Sequence, residues 1–411
     1  MKLCFIADAR SPIAQNWISY FVGADYDVHV ISSYPCASSA IHGASIYEFP
    51  LAFARFSSSR INSTSMNSKK NQSRARISSP FTKTLIRDWV AMLDVIPHVS
   101  KLRRLINTIN PDLVHAMRIP FEGIAASMAV DARFPLLVSV WGNDYTLHAK
   151  HSLPTAIMTR RTVRRTDAIH CDCERDLRLS FKWGFRVDAP SLVVPTAGGI
   201  QSDTFFSRTV TDSKVNYQEF QNKRVVINPR GIRGYMRNDV FFRSIPRVLH
   251  YHPDVLFVCP GMAGDKNAIN WVKQYNLEKH VVLLPSVKRD EMAELFRLSE
   301  IMVSPSIHDG TPNSLLEAMS CGCFPVVSAL ESVKEWITDQ DNGLFFDITS
   351  ENDLADKVVR ALDDDQLRNN ARLRNIRIIQ ERADYATVMP SVVAFYRLLI
   401  NSVSIRPLSQ R

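Results

Sequence analysis

The sequence predicts an α/β protein made of two tandem, doubly wound parallel-sheet domains, and three observations carry that prediction. At roughly 150 residues per domain, a chain of 411 residues has the length for two or three. Short apolar runs recur along it at intervals that leave room for a helix between them. The runs are apolar throughout rather than alternating, as strands covered on both faces are.

The first series lies at residues 3–7, 28–32, 113–116, 136–140, 168–171 and 192–194. The second lies at 225–228, 255–259, 281–284, 301–304, 325–328 and 344–346. Between them, 195–200 contains a proline and the adjacent Gly198 and Gly199, which suit a hinge, and a polar run follows at 209–222. The last helical stretch, 384–400, comes after the second sheet is complete and is expected to pack back on the first domain. The domains are therefore read as 1–200 with about 385–411, and 201–384. Segment 57–80 breaks the pattern: nine serines and five Lys/Arg cannot bury enough surface to offset the entropy of ordering, so a mobile basic loop is expected.

Composition narrows the function. Apolar residues make up 45% and charged residues 22%, as in ordinary globular proteins. The net charge of +9 sits wholly in the first half: residues 1–200 carry 24 Lys+Arg against 15 Asp+Glu, and the remainder carry 26 of each. No run approaches the roughly 18 apolar residues that a spanning helix needs, and residues 3–7 meet Asp8 and Arg10 too soon to form a signal-peptide core. Seven cysteines, mostly in apolar runs, suit reduced thiols and a cytoplasmic location. The sequons at Asn62 and Asn71 carry no weight without a secretory signal.

The most informative junction runs from 301 to 322. Thr311 suits an N-cap and Pro312 a first helical residue, so a helix is expected from here to a stop near Gly322. Its unpaired amides around Asn313, Ser314 and Leu315 would form an anion site suited to phosphate. Asp309 precedes this helix and Glu317 lies two turns into it. Beside an anion site such carboxylates can accept hydrogen bonds from sugar or ribose hydroxyls; equally, Glu317 can be a satisfied half-buried acid and Asp309 a turn residue. Metal chemistry is not expected. The Asp-x-Asp matches at 25–27, 339–341 and 363–365 read as solvated turns, the cysteine pairs 171/173 and 321/323 lack zinc spacing, and phosphate-loop and dinucleotide fingerprints are absent.

These residues also resemble a known family. Asp309 to Glu317 has the spacing of the E-x7-E motif of retaining GT-B glycosyltransferases of family 4, the group 1 glycosyltransferases, and Glu317-Ala318-Met319-Ser320-Cys321-Gly322 is similar to the family's E-A-M-A-x-G. Residues 195–200 resemble its interdomain linker, 291–296 its E-E-L-A-x-x-Y helix, and 341–345 its x-N-G-L-L strand. The resemblance covers nearly all of 190–400 and is architectural over 1–190. It implies two Rossmann-like domains, the first binding an acceptor and the second a nucleotide-sugar donor, with the nucleotide-sugar a co-substrate and no cofactor or metal.

Carried over by position, Glu317 would hold the ribose hydroxyls and Asp309 the donor sugar. The amides of Gly310, Thr311, Asn313, Ser314 and Leu315, in the loop that includes Pro312, would cradle sugar and diphosphate. Arg230 aligns with the family's arginine that neutralises the leaving diphosphate. Glu317, Asp309 and Arg230 are thus the expected catalytic residues. Base recognition is expected from backbone at 285–288.

The sequence also departs from the family. Asp309 is one methylene shorter than the usual Glu. Tyr235 stands where a lysine is expected, leaving Arg233 or Arg237 to supply the second charge. Trp141-Gly142-Asn143-Asp144 replaces a His-Gly, which makes Asp144 the polar group expected to face the cleft, the alternative for Trp141-Gly142 being a packed aromatic and a turn. Arg10 and Ser11 occupy the place of a glycine-rich loop and are assigned to acceptor or diphosphate contact.

The cations Arg55, Arg60, Lys69, Lys70, Arg74, Arg76, Lys83, Arg87, Lys101, Arg103 and Arg104, with a second cluster at Arg160, Arg161, Arg164 and Arg165, suggest peripheral docking on an anionic inner membrane face. A lipid-linked glycan acceptor would be found there. The alternative is a solvated face. Nucleic-acid binding lacks any interleaved aromatic platform. A catalytically silent GT-B subunit is the competing reading of Asp309, Tyr235 and Trp141.

Overall fold

The computed structural model describes residues 1–50, 96–150, 152–207, 220 and 223–404. The basic segment 57–80, the cations from Arg55 to Arg87 and most of the polar run 209–222 lie outside the described residues. The chain divides into two compact units at Ala197/Gly198 and at Pro390/Ser391.

Among the described residues the first unit holds a seven-stranded parallel sheet: β1 (Lys2–Ala7), β2 (Asp27–Ser32), β3 (Ser45–Glu48), β4 (Leu113–Ala116), β5 (Leu136–Val140), β6 (Ala168–Cys171) and β7 (Ser191–Val193). Their order across the sheet is β3-β2-β1-β4-β5-β6-β7. β4 and β5 are buried at every position, as the unbroken apolar runs require. β3 was not expected: Ser-Ile-Tyr-Glu is half-exposed at the sheet's edge, and an edge strand need not be apolar. The helices of this unit are α1 (Pro12–Gly23), α2 (Val99–Ile109), α3 (Ile124–Ala129), α4 (Leu153–Arg165) and α5 (Glu174–Trp183).

The second unit carries β8 (Arg224–Ile227), β9 (Val255–Cys259), β10 (Val281–Leu283), β11 (Ile301–Ser304), β12 (Phe324–Ser328) and β13 (Leu344–Phe346) in a parallel sheet ordered β10-β9-β8-β11-β12-β13. It is covered by α6 (Asn238–Tyr251), α7 (Lys266–Gln274), α8 (Arg289–Leu298), α9 (Asn313–Cys321), α10 (Glu351–Asp363) and α11 (Asp365–Arg382). Both sheets reverse their winding next to the first strand in sequence, between β1 and β4 and between β8 and β11. In open α/β sheets the carboxyl ends at such a point form a crevice for ligands.

The final helix, α12 (Tyr385–Ser404), returns to the first unit. Tyr396 is fully buried there, stacked on Phe21 at 4.9 Å between ring centroids. Its hydroxyl joins a chain of hydrogen bonds whose direction both ends dictate. Trp17 Nε1, only a donor, gives to Tyr396 Oη at 2.9 Å. Tyr396 then gives to His115 Nδ1 at 2.6 Å, and His115 Nε2 to Ser139 Oγ at 2.7 Å. Ser139 gives to His170 Nδ1 at 2.8 Å, and His170 Nε2 to the Val194 carbonyl, only an acceptor, at 2.9 Å. This direction holds with both imidazoles neutral, each protonated at Nε2. Burial agrees, holding His170 down to about 4 and His115 well below its ordinary value, the latter with His170 beside it adding to the effect.

The linker glycines have a steric reason. Gly199 has φ +103°, and a Cβ there would sit 2.5 Å from the Ala383 carbonyl oxygen. That close approach lets Ile200 N give to Ala383 O at 2.7 Å and Tyr385 N to Ile200 O at 2.9 Å.

Candidate active site

The loop after β8 and the loop after β11 are laced together by backbone. Arg237 N donates to Pro305 O at 2.8 Å and Ile307 N to Tyr235 O at 2.9 Å. The lacing brings Arg230 to Asp309: Nη1 lies 2.5 Å from Oδ2, with both side chains 11% exposed. Burial works against the Arg230 charge, but Asp309 and then Tyr235 beside it raise its pKa above the ordinary arginine value. The expected diphosphate clamp and the expected sugar ligand thus meet as an ion pair.

Tyr235 extends this pair. Its hydroxyl oxygen accepts from Arg233 Nη1 at 2.9 Å and lies 3.5 Å from Arg230 Nη2, and Arg233 Nε donates to the Arg230 carbonyl at 3.1 Å. Arg230 and Arg233 line one cavity of about 290 Å³ together with Gly261, Ser286, Val287 and Met292. It opens at the carboxyl ends of β8, β9 and β10. Arg237 is placed differently: it is held by Asp239 at 2.8 and 2.9 Å and is absent from that lining. The residue occupying the lysine's place therefore organises Arg233, and Arg237 belongs to a local ion-pair group with Asp239 and Arg243.

Helix α9 begins one residue later than expected, at Asn313 with Pro312 in the N-cap position. The Leu315 amide is not free for a ligand: it donates to Pro312 O at 2.9 Å, because the extended Pro312 turns its carbonyl into the first turn. Thr311 is not the cap either; its hydroxyl accepts from Trp336 Nε1 at 3.1 Å. What the helix start offers is Asn313 and Ser314, whose Oδ1 and Oγ are buried without a hydrogen-bonding partner. Gly310 is buried, and Ser332 Oγ donates to the Asp309 carbonyl at 2.8 Å, fixing the loop. The helix stops at Gly322, φ +92°, as expected.

Glu317 is half-buried on α9. Burial pushes its carboxyl up to about 7, against the pull of Arg289 and Arg230. Arg289, the first residue of α8, has no motif of its own; its signal was only its place directly after 285–288.

The first unit gathers a second polar group at the carboxyl edge of its sheet. Arg10 folds onto Asp8 at 2.9 and 3.0 Å and lies 4.1 Å above the Tyr34 ring. Ser11 precedes α1 with no side-chain cap bond. Asp144 does not present itself to an open cleft as expected. It is 2% exposed, and Oδ2 accepts from the amides of Trp141 and Ile119, each at 3.1 Å, so it clasps two strand-end turns together. Trp141 is half-buried under the Arg118 guanidinium, 5.6 Å from its centroid.

Sequence reasoning missed Arg118 and Glu122. Glu122 is buried, takes a hydrogen bond from Ser33 Oγ at 2.5 Å, and keeps Oε2 without a hydrogen bond 3.9 Å from Arg118 Nε. Its neighbour Phe121 has φ +66°, a strained value for an aromatic residue.

Among the described residues, Asp172, Cys173 and Asp176 bring potential metal ligand atoms within 4.8 Å of one another. Arg175 already holds Asp176 at 2.7 and 2.9 Å, and burial raises both carboxyls, with the neighbouring carboxylate adding to the rise at Asp172. The guanidinium of Arg175 on Asp176 accounts for this group without an ion. No helix among the described residues is long and apolar enough to cross a membrane.

Comparison with known proteins places this geometry. The profile of Glycosyl transferases group 1 matches residues 210–376, and that of Glycosyl transferase 4-like matches 63–173. N-acetyl-alpha-D-glucosaminyl L-malate synthase of Bacillus anthracis is 23% identical over 276 residues, 66% of this chain and 70% of that protein. The N,N'-diacetylbacillosaminyl-diphospho-undecaprenol alpha-1,3-N-acetylgalactosaminyltransferase of Campylobacter jejuni is 38% identical over 82 residues, 20% of this chain and 22% of its own length. The UDP-Gal:alpha-D-GlcNAc-diphosphoundecaprenol alpha-1,3-galactosyltransferase of Escherichia coli is 28% identical over 31% of this chain and 34% of its own. In fold, Anabaena HepE, solved in complex with UDP, superposes with a TM-score of 0.73 at 14% identity, covering 96% of this chain and 99% of that one. Two family profiles, one in each unit, and two parallel sheets of matching architecture lead to one statement: the chain belongs to the group 1 glycosyltransferases, the GT-B enzymes of family 4.

Proposed function

We propose that this glycosyltransferase moves a sugar, with retention of anomeric configuration and without a metal, from a nucleotide-diphosphate donor to a lipid-linked glycan in surface polysaccharide or glycoconjugate synthesis. The observation that carries the reading is the linked group Arg230, Asp309, Tyr235 and Arg233, of which Arg230 and Arg233 line one cavity, with α9 starting four residues after Asp309. Arg230 and Arg233 supply fixed positive charge where a diphosphate would leave. Asn313 and Ser314 offer unpartnered polar atoms at a helix start, and Glu317 and Asp309 are acceptors for hydroxyls. Relatives whose names specify diphospho-undecaprenol substrates support a lipid-linked acceptor.

In this reading the acceptor hydroxyl oxygen bonds to the sugar's anomeric carbon as the bond from that carbon to the phosphate oxygen breaks. The hydroxyl proton passes to the departing diphosphate, so no strong protein base is required. The first unit's edge, with Arg118, Glu122, Trp141, Arg10 and Ser11, would receive the acceptor.

A donor-hydrolysis screen over UDP-, GDP- and ADP-sugars, with Glu317→Ala as control, tests the reading. Turnover of at least one donor that survives EDTA and releases the sugar with its original anomeric configuration is expected. Nucleotide binding with turnover of no donor would instead establish a catalytically silent subunit.

A further inference from the structure

Helix α4 buries Thr155, Thr159, Thr162 and Val163. On its opposite side Leu153 is 72% exposed and Ile157 46% exposed, and Arg160, Arg161 and Arg164 are exposed beyond them. Positions i, i+4, i+7, i+8 and i+11 share one stripe of a helix. The helix carries no acidic residue along its length. Its neighbour α5 abuts it, the Arg160 guanidinium lying 5.9 Å from the Trp183 centroid, and adds exposed Phe181 and Lys182. The loop that follows exposes Val187 at 84%. Glu174 and Asp188 are the exposed carboxylates of α5 and that loop.

Arginines alone on a surface serve solubility. Large aliphatic side chains held in water among them do not, and they mark a surface with a partner. A nucleic acid would engage the cations and leave Leu153, Ile157 and Val187 in water. An anionic bilayer engages both, phosphates meeting the guanidiniums while the apolar side chains enter the headgroup boundary.

We infer that the α4–α5 face docks this enzyme on an anionic lipid bilayer, with Leu153 and Ile157 entering the headgroup region and Arg160, Arg161 and Arg164 contacting lipid phosphates. Of the two basic clusters that suggested docking in the sequence, the surface takes the second, at 160–164, and adds the apolar side chains that the charges alone did not show. Arg165, the fourth arginine of the sequence cluster, is not part of it, since Nη2 donates to the Val130 carbonyl at 3.1 Å. The inference rests on the proposed lipid-linked acceptor for its purpose, though not for the contact itself.

The test is co-sedimentation of the full chain with phosphatidylcholine vesicles, with and without phosphatidylglycerol, at low and high salt. Soluble-donor hydrolysis is measured in parallel, and binding to heparin beads is a separate arm. Wild type is expected to sediment with the anionic vesicles, and the triple charge reversal R160E/R161E/R164E to lower its bound fraction by at least about tenfold. Leu153→Ser with Ile157→Ser is expected to lower vesicle binding at both salts, leaving heparin binding and donor hydrolysis unchanged. Equal sedimentation with neutral vesicles, undiminished binding of the charge-reversed variant, or no effect of the serine variant would each overturn the inference; the last, with heparin binding intact, would identify a polyanion surface. Vesicle binding without hydrolysis of any donor would sink the proposed activity and leave the docking face standing.

Discussion

At the scale of single residues, the proposed donor site is a set of side chains that restrain one another. Arg230 is neutralised by Asp309 at 2.5 Å, so in the proposed function a diphosphate would compete with a carboxylate for the same guanidinium. Asp309→Asn keeps the shape and removes that competitor. The nucleoside diphosphate of whichever donor the screen identifies is then expected to bind several-fold tighter by calorimetry while sugar turnover falls, a split that loss of folding would not give. Arg233→Ala removes one charge-assisted contact and is expected to weaken that nucleotide about ten- to a hundredfold. Arg237→Ala, in its separate ion pair, is expected to leave its affinity near wild type, and Tyr235→Phe to fall between them because Arg233 loses its anchor. Equal effects of the two arginine variants would sink this assignment. Glu317 makes a prediction in pH. Its folded-state carboxyl is raised to about 7, so it releases its proton as pH rises through that value, and only the ionised form accepts from two hydroxyls at once. Affinity of the wild type for that nucleotide is expected to climb from pH 6 to 8 relative to Glu317→Gln, the difference between the two isolating this group from the nucleotide's own titration. The same shift has an opposite effect on stability: its contribution is full below the unfolded value near 4.5 and is lost as pH rises through 7.

At the scale of elements, the departures from expectation have local causes. β3 escaped notice because an exposed edge strand has no apolar run. The start of α9 moved by one residue because Pro312, with ψ 113°, is extended, and its carbonyl then takes the Leu315 amide. Neither is visible in residue identity, since both Thr-Pro arrangements suit a helix start. Asp144 was expected at a cleft from its position after a strand, but a short acid beside free amides satisfies them first, and two backbone donors took its oxygen. The linker glycine Gly199 has a reason that only the structure gives: the backbone at 199–200 runs beside that at 383–385. Gly199→Ala is expected to cost about 1–3 kcal/mol, read as a lower urea midpoint, whereas a substitution at Gly23, with nothing within 4 Å of its Cβ, serves as a control for the composition change. A Gly199→Ala protein as stable as wild type would disprove the close approach.

At the scale of the whole molecule, the chain returns to its first unit through α12, and the buried relay from Trp17 through Tyr396, His115, Ser139 and His170 to Val194 fixes that return. Both histidines are depressed by burial, so the unfolded chain binds protons that the folded unit does not. Their contribution to stability is full above about 6.5 and is lost as pH falls toward 4. His170→Gln is expected to flatten the acid side of a denaturation profile between those values even if it lowers stability overall; a profile as steep as wild type would rule the relay out as its cause.

The sequence by itself determined the two-sheet architecture and the stop of α9 at Gly322, and its resemblance to a known family pointed to the family and proposed Arg230, Asp309 and Glu317 as site residues. The first two follow from what lies along one strand or one helix: unbroken apolar runs, and a glycine where φ must be positive. Tertiary structure alone decided that Arg230 pairs with Asp309, 79 residues away, that Tyr235 commits Arg233 and leaves Arg237 outside, and that Glu122 and Arg118 lie beside Trp141. A contact between distant side chains depends on how two strand-end loops lace together, and that lacing is made by backbone hydrogen bonds that almost any residue can supply.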